Sequence, residues 1–306
     1  MSFNIDFVNR RKWWYALSLL VIIPGLIFMF INQPALNFGI DFTGGNIIQV
    51  QFEQPVSSSQ VRDVLIEHNL GNSPIQAANE NEFIIRTVEI DEVKTSQLIS
   101  SLEEKLGQMD LKKNEKVGAT IGRELTIKGI QAMIVAWVLM VIYITFRFEF
   151  LSGLAAIIAL IHDVLVAAGL FAIFRWEVDT TFIAAILTII GYSINNTIVI
   201  YDRIRENRRQ RKRETIEDTV NRSINQNLTR TINTSLTVLF CLLALLFIGG
   251  ETTRNFALAM SIGVIAGCYS SVCIAGTLWI DLRQMFRGNR KRAVTGKAKA
   301  RRATSH

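Results

Sequence analysis

The sequence predicts an α-helical polytopic membrane protein with six transmembrane helices and one α+β domain outside the membrane. Half of the 306 residues are hydrophobic, and the mean hydropathy is positive. The apolar residues form blocks of about 20, the length needed to cross a hydrocarbon core roughly 30 Å thick. A soluble core does not require helices that are apolar on every side. The six predicted spans are 13–31, 127–146, 151–174, 180–200, 228–248 and 256–280.

The first apolar block follows Arg10, Arg11 and Lys12, as the apolar region of a secretory signal would. Its apolar stretch is longer than such a region, and no small-x-small cleavage site closes it. We therefore expect a retained span. Pro24 and Gly25 in its middle predict a local bend without a role in transport.

The positions of the basic residues predict the orientation of the spans. Arginine and lysine crowd the segment between spans four and five and the C-terminal tail, whereas the connections 175–179 and 249–255 hold one arginine each. Both termini are therefore expected to face the cytoplasm. The net charge of +7 indicates topology rather than nucleic-acid binding, and we expect the tail to contact membrane lipids.

These features divide the chain into four predicted segments. Residues 1–34 hold the cytoplasmic N-terminus and the first span, and residues 35–125 form the extracytoplasmic (periplasmic) domain. Residues 126–282 hold spans two to six, and residues 283–306 form a basic cytoplasmic tail. The basic loop 202–227 is too polar to cross the bilayer, so we expect an amphipathic helix on the cytoplasmic surface there.

The periplasmic domain has a regular pattern of elements. The pattern predicts a strand at 46–52, a helix at 57–70, strands at 75–78 and 83–87, a helix at 91–106 and a strand near 115–119. The order β-α-β-β-α-β is the ferredoxin-like arrangement. A small acidic domain favours a binding module over an enzyme. Asp41, Gly44 and Gly45 precede its first predicted strand, and the glycines predict a tight turn that links the domain to the membrane.

No sequence motif for ordinary enzyme chemistry is present. The chain lacks a GxxxxGK[ST] phosphate loop, an HExxH zinc motif, a CxxC pair and a GxSxG elbow. Its three histidines are scattered, and its three cysteines lie inside predicted spans. We therefore predict no enzyme activity, no catalytic residue, no cofactor and no metal site.

Polar side chains inside the spans are informative, because the bilayer makes them costly and they tend to be kept for function. Asp163 follows His162 near the middle of the third span. Its carboxylate is either a hydrogen-bonded structural group or a proton-handling group, and both interpretations stay open. In the sixth span, Gly263 and Gly267 belong to a stripe of small residues at four-residue spacing, which predicts a helix-packing face.

Two other spans carry polar residues on one helical face. The face of span four consists of Thr188, Gly191, Tyr192, Asn195 and Asn196, and that of span five of Asn227, Arg230, Thr231, Thr234, Thr237 and Cys241. If these helices are neighbours, Arg230 faces the amide-bearing helix at the depth of Asn196. The alternative is that Arg230 extends to the lipid headgroups.

Several longer motifs resemble a known family. They are DFTGGN at 41–46, VGATIGRE at 117–124, LIHDV at 160–164, GYSINNTIVIYDRIRE at 191–206 and NQNLTRTINTS at 225–235. Together they resemble the SecF family of Sec translocase accessory subunits over nearly the whole chain except the basic tail. The resemblance implies a fold similar to half of a resistance-nodulation-division transporter, in the bacterial inner membrane.

The same resemblance implies partners and a mechanism. Family members form a heterodimer with SecD, and the pair assists the SecYEG channel after the SecA ATPase has pushed the preprotein. Flow of protons, or of sodium ions in some members, through the SecD–SecF interface moves the periplasmic domains. That motion promotes preprotein translocation and release. We expect no nucleic-acid partner.

The chain departs from the family pattern at Asn196. The resemblance implies a proton-linked aspartate at this position, but an amide cannot titrate; Arg230 matches the companion arginine of the family. Three explanations stay open. The relay has moved to Asp163 or to SecD, the asparagine is an introduced isosteric change that locks one state, or this member has lost ion coupling.

Two other functions compete with ion-driven assistance of protein export. The chain could be half of a small-molecule exporter of the same superfamily, although such pumps usually hold both halves in one chain. It could instead be a non-transporting scaffold of the translocase, a hypothesis that Asn196 favours.

Overall fold

The structure is a computed structural model that describes residues 5–79, 81–211 and 213–286. Within these residues, six helices are long and apolar enough to cross a membrane, which agrees with the number of predicted spans. The chain divides into two compact units. The helical unit comprises Met1–Asn37, Met133–Trp176 and Thr181–His306, and the α/β unit comprises Phe38–Ala132 and Glu177–Thr180.

The elements follow one another along the chain as short strands and long helices. In order they are α1 (Arg11–Ile31), β1 (Asn37–Phe38), α2 (Ile40–Thr43), β2 (Gly45–Phe52), α3 (Ser58–Glu67), β3 (Ile75–Asn79), β4 (Glu82–Thr87), α4 (Glu92–Leu106), β5 (Met109–Val117), α5 (Ala119–Arg147), α6 (Phe150–Phe174), β6 (Glu177–Val178), α7 (Thr180–Gln210), α8 (Ile216–Ile248) and α9 (Glu251–Tyr269). A π-helical segment, Ser270–Ala275, continues α9, and the last span ends at Phe286.

The α/β unit contains a four-stranded antiparallel sheet with the strand order β3-β4-β2-β5. Ile48 on β2 pairs with Ile85 on β4, and both side chains are fully buried. They join a hydrophobic core to which α3 contributes Leu65 and α4 contributes Leu98. Two helices and the sheet therefore share one core, as the alternation of apolar residues predicted.

Local signals in the sequence fix the ends of these helices. Ser57 and Gln60 form a reciprocal capping box at the start of α3. Asp91 caps α4 by accepting a hydrogen bond from the backbone N–H of Lys94 at 2.7 Å. Gly107 ends α4 at a φ of 98°. The last strand differs from its prediction, because β5 begins at Met109 rather than near residue 115.

Close helix crossings in the helical unit occur at glycine. A Cβ atom on Gly25 would lie 2.6 Å from the Cα of Gly169, so α1 and α6 cross with their backbones in contact. A Cβ atom on Gly263 would overlap the side chain of Ile189, and one on Gly267 would lie 2.9 Å from that of Ser193. Small residues thus let α9 approach α7 closely, as small-residue stripes do in membranes.

The expectation of a separate amphipathic helix in loop 202–227 is wrong. Of the described residues in this range, those up to Gln210 continue α7, and those from Ile216 onward already belong to α8. Asn207 Nδ2 donates to Ser223 Oγ at 2.8 Å across the hairpin. Because the polar side chains bond between two long helices, low hydropathy marks the ends of the spans rather than a new element.

Candidate functional site

The most deeply buried carboxylate in the helical unit belongs to Asp163 on α6, whose exposed fraction is 0%. Two serine hydroxyls donate to its Oδ2 atom, Ser193 Oγ from α7 at 2.5 Å and Ser270 Oγ from the π-helical segment at 2.9 Å. Nδ1 of His162 lies 2.9 Å from its Oδ1 atom. The carboxylate therefore joins three of the spans in the interior of the helical unit.

A hydrogen-bonded chain continues from His162 to the first span. His162 Nε2 lies 3.0 Å from Ser18 Oγ, which donates to the hydroxyl of Tyr269 at 3.3 Å. The Tyr269 hydroxyl donates to the carbonyl oxygen of Trp14 at 2.6 Å. The imidazole also stacks on the Tyr269 ring, with the centroids 5.8 Å apart. We call Ser18, His162, Asp163, Ser193, Tyr269 and Ser270 the Asp163 network.

The π-helical segment Ser270–Ala275 supplies part of this network. Ser271 next to Ser270 contacts the hydroxyl of Thr197 on α7 at 2.9 Å. Tyr201, one turn further along α7, donates to the carbonyl oxygen of Ala275 at 3.0 Å. Short π-helical insertions within α-helices are frequent at functional sites. Here the insertion carries two adjacent serines with different partners. Ser270 donates to the carboxylate, and Ser271 contacts Thr197 and the backbone carbonyl oxygen of Ser193.

Asn196 and Arg230 are not brought together. Asn196 is buried, with 7% of its surface exposed, and its Nδ2 atom has no hydrogen-bond partner among the described residues. Arg230 on α8 is exposed. No hydrogen bond or ion pair joins the two in the part of the chain that the structure describes. The helices are nevertheless neighbours, because the hydroxyl of Tyr192 donates to Ser235 Oγ at 3.2 Å.

The residues of the predicted polar face of span four differ in how far their side chains are buried. Thr188 and Asn195 are exposed, whereas Asn196 is buried. Thr188 donates its hydroxyl to the carbonyl oxygen of Ala184, one turn earlier on the same helix. On α8, the exposed Thr234 donates to the carbonyl oxygen of Arg230. Thr188, Asn195 and Thr234 therefore point away from the interior of the helical unit, whereas Asn196 does not.

The Asp41–Gly45 motif holds the first residues of two long helices in the α/β unit. Oδ2 of Asp41 accepts hydrogen bonds from the backbone N–H and the hydroxyl of Thr180, at 2.9 and 2.7 Å, where α7 begins. Gly44 and Gly45 have φ angles of 71° and 128°, which favour glycine. A Cβ atom on Gly44 would lie 2.7 Å from the Cα of Ala119, the first residue of α5.

Among the described residues, no group of three or more His, Cys, Asp or Glu side chains is arranged to hold a metal ion. The buried polar side chains described in the helical unit are instead hydroxyls, the amides of Asn196 and Asn207, one imidazole and one carboxylate. Such groups can pass or hold a proton and can change hydrogen-bond partners.

Comparison with known proteins identifies the family. Residues 97–285 match the family model described as protein export membrane protein SecD/SecF, C-terminal, and residues 30–56 match the SecD/SecF GG motif. The chain belongs to the SecF family. The resemblance inferred from the motifs is confirmed, and with six apolar helices the chain is a multi-pass protein of the inner membrane.

Relatives in the SecF family match over nearly their whole length. The protein translocase subunit SecF of Acidaminococcus fermentans is 41% identical over 92% of this chain and 98% of its own. The SecF of Sebaldella termitidis is 39% identical over 96% of both chains. These relatives bear the name of a translocase subunit, which makes the chain a component of protein transport rather than a member of a classical enzyme family.

Two solved structures of SecDF share this fold. The crystal structure of SecDF from Thermus thermophilus, a translocon-associated membrane protein, superposes with a TM-score of 0.84 at 34% identity. It matches 92% of this SecF-family chain and 39% of the SecDF chain. SecDF in its super-membrane-facing form gives a TM-score of 0.70 at 33% identity over 96% and 40%. The chain therefore spans about two fifths of these SecDF proteins.

Asp163 could be predicted from the sequence, but most of its network could not. Ser18, Ser193, Tyr269 and Ser270 were not proposed as site residues. A signal was present for Ser18, which is the single serine of α1, a helix that otherwise consists almost entirely of apolar residues between its ends. The order of the helices around α6 could not be read from spacing, and that order decides which hydroxyls reach the carboxylate.

Proposed function

We propose that this chain is an accessory subunit of the Sec protein translocase that acts with a SecD subunit. It uses the proton gradient to promote the translocation and release of preproteins across the inner membrane. The observation that carries the proposal is the Asp163 network, in which a fully buried carboxylate is bonded to groups from three spans. Family membership supports the role in protein export.

Two protonation states of His162 require different hydrogen bonds in the network. A doubly protonated imidazole donates from Nδ1 to Asp163 and from Nε2 to Ser18, which leaves the Ser18 hydroxyl free to donate to Tyr269. A neutral imidazole with a proton on Nδ1 instead accepts from Ser18 at Nε2. The Ser18 hydroxyl then turns away from Tyr269, and that link between α1 and the last span is lost.

Protonation of Asp163 itself changes the network in a second way. The ionised carboxylate only accepts hydrogen bonds, whereas the protonated acid must donate from one oxygen. Ser193, Ser270 or the imidazole must then change its role. A proton that enters this site therefore favours a different packing of α6 against α7 and the last span, which is how a ligand shifts a two-state equilibrium.

The network supports the first explanation of Asn196, in which the relay has moved. Asn196 cannot titrate, and its buried amide bonds to no described partner. Asp163 retains a titratable carboxylate next to the only histidine described in the helical unit. Protons fit this pair better than sodium ions, because the carboxylate contacts an imidazole nitrogen, whereas hard cations prefer oxygen ligands.

SecD is the partner that we propose for the exposed polar groups of α7 and α8. Asn195 and Arg230 are exposed on helices that cross the bilayer, and polar side chains in hydrocarbon are costly. The exposed Thr188 and Thr234 lie on the same helices, with their hydroxyls bonded to backbone carbonyls. The SecDF structures contain a SecF-like part that this chain matches, together with sequence that it does not cover. A SecD subunit that buried these groups would remove the cost.

We also propose on which side of the membrane the α/β unit lies and which partners the chain has. The α/β unit has the element order and antiparallel sheet that a ferredoxin-like domain requires, and we assign it to the periplasmic side, where it meets the emerging preprotein. Both termini then face the cytoplasm. SecYEG and SecA are the proposed partners in translocation. We propose that the ion gradient supplies the energy and that no cofactor is needed.

Export measured in cells depleted of their own SecF tests this function. This chain is expressed with SecD, and preprotein export is measured with the proton gradient intact and after its collapse. We expect export to recover only with the gradient. Equal export under both conditions would favour the scaffold hypothesis, and no recovery in the presence of SecD would contradict a role in the translocase.

The scaffold hypothesis stays a second candidate because Asn196 cannot titrate, which fits a member that has lost ion coupling. It predicts that Arg230→Ala leaves export intact, since a scaffold needs no charge switch. A severe export defect in Arg230→Ala, with normal amounts of the protein in the membrane, would contradict it. Family membership gives no support to the small-molecule exporter.

A further inference from the structure

A cavity of about 390 Å³ lies at the ends of the helices, away from the Asp163 network. It is formed where α5 ends and α6 begins, and α7 and the last span complete its wall. Its lining residues are Phe146, Arg147, Phe148, Glu149, Ser152, Tyr201, Ile204, Arg205, Arg208 and Trp279. The volume falls in the range of roughly 300–1,000 Å³ that is usual for small-ligand sites.

The charges of the lining favour an anion. Three arginines and one glutamate line the cavity. Arg147 is paired with Asp202 at 3.1 Å, and Arg208 lies 3.8 Å from Glu149, which is long for an ion pair. Arg205 is exposed and has no ion pair among the described residues. Positive charge therefore remains after the acidic side chains are counted.

Trp279 gives a second, independent indication. Its side chain is 2% exposed, and its Nε1–H donor has no hydrogen-bond partner in the described part of the chain. Buried tryptophan donors usually find an acceptor, so an acceptor in this cavity would complete the site. The guanidinium of Arg208 lies 5.6 Å from the centre of the Trp279 ring and that of Arg283 lies 5.3 Å from it, so two positive charges lie against this side chain.

We propose that this cavity binds a phosphate group, supplied by the headgroup of an anionic phospholipid. Arg205 and Arg208 provide the positive charge, and Trp279 provides a neutral donor. Phe146, Phe148 and Ile204 give the same cavity an apolar side that suits the glycerol and the first carbons of the acyl chains. The helix ends place the cavity at the level of a membrane interface, where such a headgroup lies.

Lipid retention by the purified full-length chain in detergent tests the site. Native mass spectrometry compares phosphatidylglycerol with phosphatidylcholine, and a third arm offers inorganic phosphate without lipid. We expect Arg205→Gln to weaken phosphatidylglycerol retention about tenfold, as the loss of a charge-assisted hydrogen bond would. Trp279→Phe keeps an aromatic side chain, although a smaller one, and removes the donor, and we expect a smaller loss. Arg209→Gln is the matched control, because Arg209 is exposed on the same helix and does not line the cavity.

The outcomes separate the sources of the phosphate. Retention of phosphatidylglycerol that falls in Arg205→Gln but not in Arg209→Gln supports the lipid site. Inorganic phosphate that binds alone with the same dependence on Arg205 supports the phosphate chemistry and assigns it to the free anion. Equal losses in Arg205→Gln and Arg209→Gln, or equal retention of both lipids, would overturn the proposal. Arg205 is exposed, so its variant is expected to fold.

Discussion

Ser193 Oγ on α7 donates a hydrogen bond of 2.5 Å to Oδ2 of Asp163 on α6, and both side chains are fully buried. The bond ties the carboxylate to the helix that carries Asn196. Gly267 on α9 also lies against Ser193, where a Cβ atom would come within 2.9 Å of the Ser193 side chain. A change in the hydrogen bonding of Asp163 therefore acts directly on Ser193, which lies at the close crossing of α7 and α9.

The two adjacent serines of the π-helical segment allow a matched test of the network. Ser270→Ala removes a hydrogen bond to the Asp163 carboxylate, whereas Ser271→Ala removes contacts with Thr197 and with the backbone carbonyl oxygen of Ser193 but none with the carboxylate. Both residues are fully buried and lose the same atom. We expect Ser270→Ala to reduce gradient-dependent export by far more than Ser271→Ala. Equal effects on export would mean that the carboxylate has no special role.

The close crossing of α1 and α6 predicts that the addition of one methyl group there lowers the stability of the protein. Gly25→Ala places a Cβ atom 2.6 Å from the Cα of Gly169, so the helices must move apart. We expect a loss of about 1–3 kcal/mol, measured as thermal unfolding in detergent. Gly191→Ala is the control, since a Cβ atom there meets no atom within 4 Å. Similar stability of both variants would contradict the crossing.

The two glycines of the Asp41–Gly45 motif should be intolerant of side chains. The φ angles of Gly44 and Gly45 are positive, and a Cβ atom on Gly45 would overlap the carbonyl oxygen of Thr87. We expect the double substitution to alanine to make the α/β unit more sensitive to protease. Gly118→Ala serves as the control, because its nearest neighbour would be 3.6 Å away. Unchanged protease resistance in the double variant would contradict this role.

Asp41 should stabilise the start of α7. Its carboxylate accepts two hydrogen bonds from Thr180, and the loss of such a cap costs about 0.5–2 kcal/mol. We expect Asp41→Ala to lower the unfolding temperature and Asp41→Asn, which keeps an acceptor oxygen, to lower it less. Equal shifts for the two variants would show that the hydrogen bonds contribute little.

Hydropathy and periodicity were enough to predict the helices but not their polar ends. The six apolar blocks are the parts of the helices that must avoid water, so composition identifies them. The polar residues of the 202–227 segment extend α7 and α8, because Asn207 and Ser223 bond to each other across the hairpin. That pairing depends on which helix lies opposite, and the hydropathy of a segment does not show this.

The sequence was enough to predict single residues of the site, but not which residues lie next to one another. Asp163 stands out because a carboxylate in an apolar block is costly wherever it points. Asn195 and Asn196 are adjacent in sequence, yet one is exposed and the other buried. Which of them faces the interior depends on the positions of the neighbouring helices. Ser18 and Tyr269 join the site for the same reason, through contacts between distant parts of the chain.

The most direct test of the account compares gradient-dependent preprotein export, with SecD co-expressed, for the unchanged chain, Asp163→Asn and Asn196→Asp. The amount of each variant in the membrane is measured alongside. We expect the unchanged chain and Asn196→Asp to respond to the proton gradient and Asp163→Asn to lose the response. If Asp163→Asn responds like the unchanged chain, or if only Asn196→Asp responds at all, Asp163 is not the group that couples protons to export.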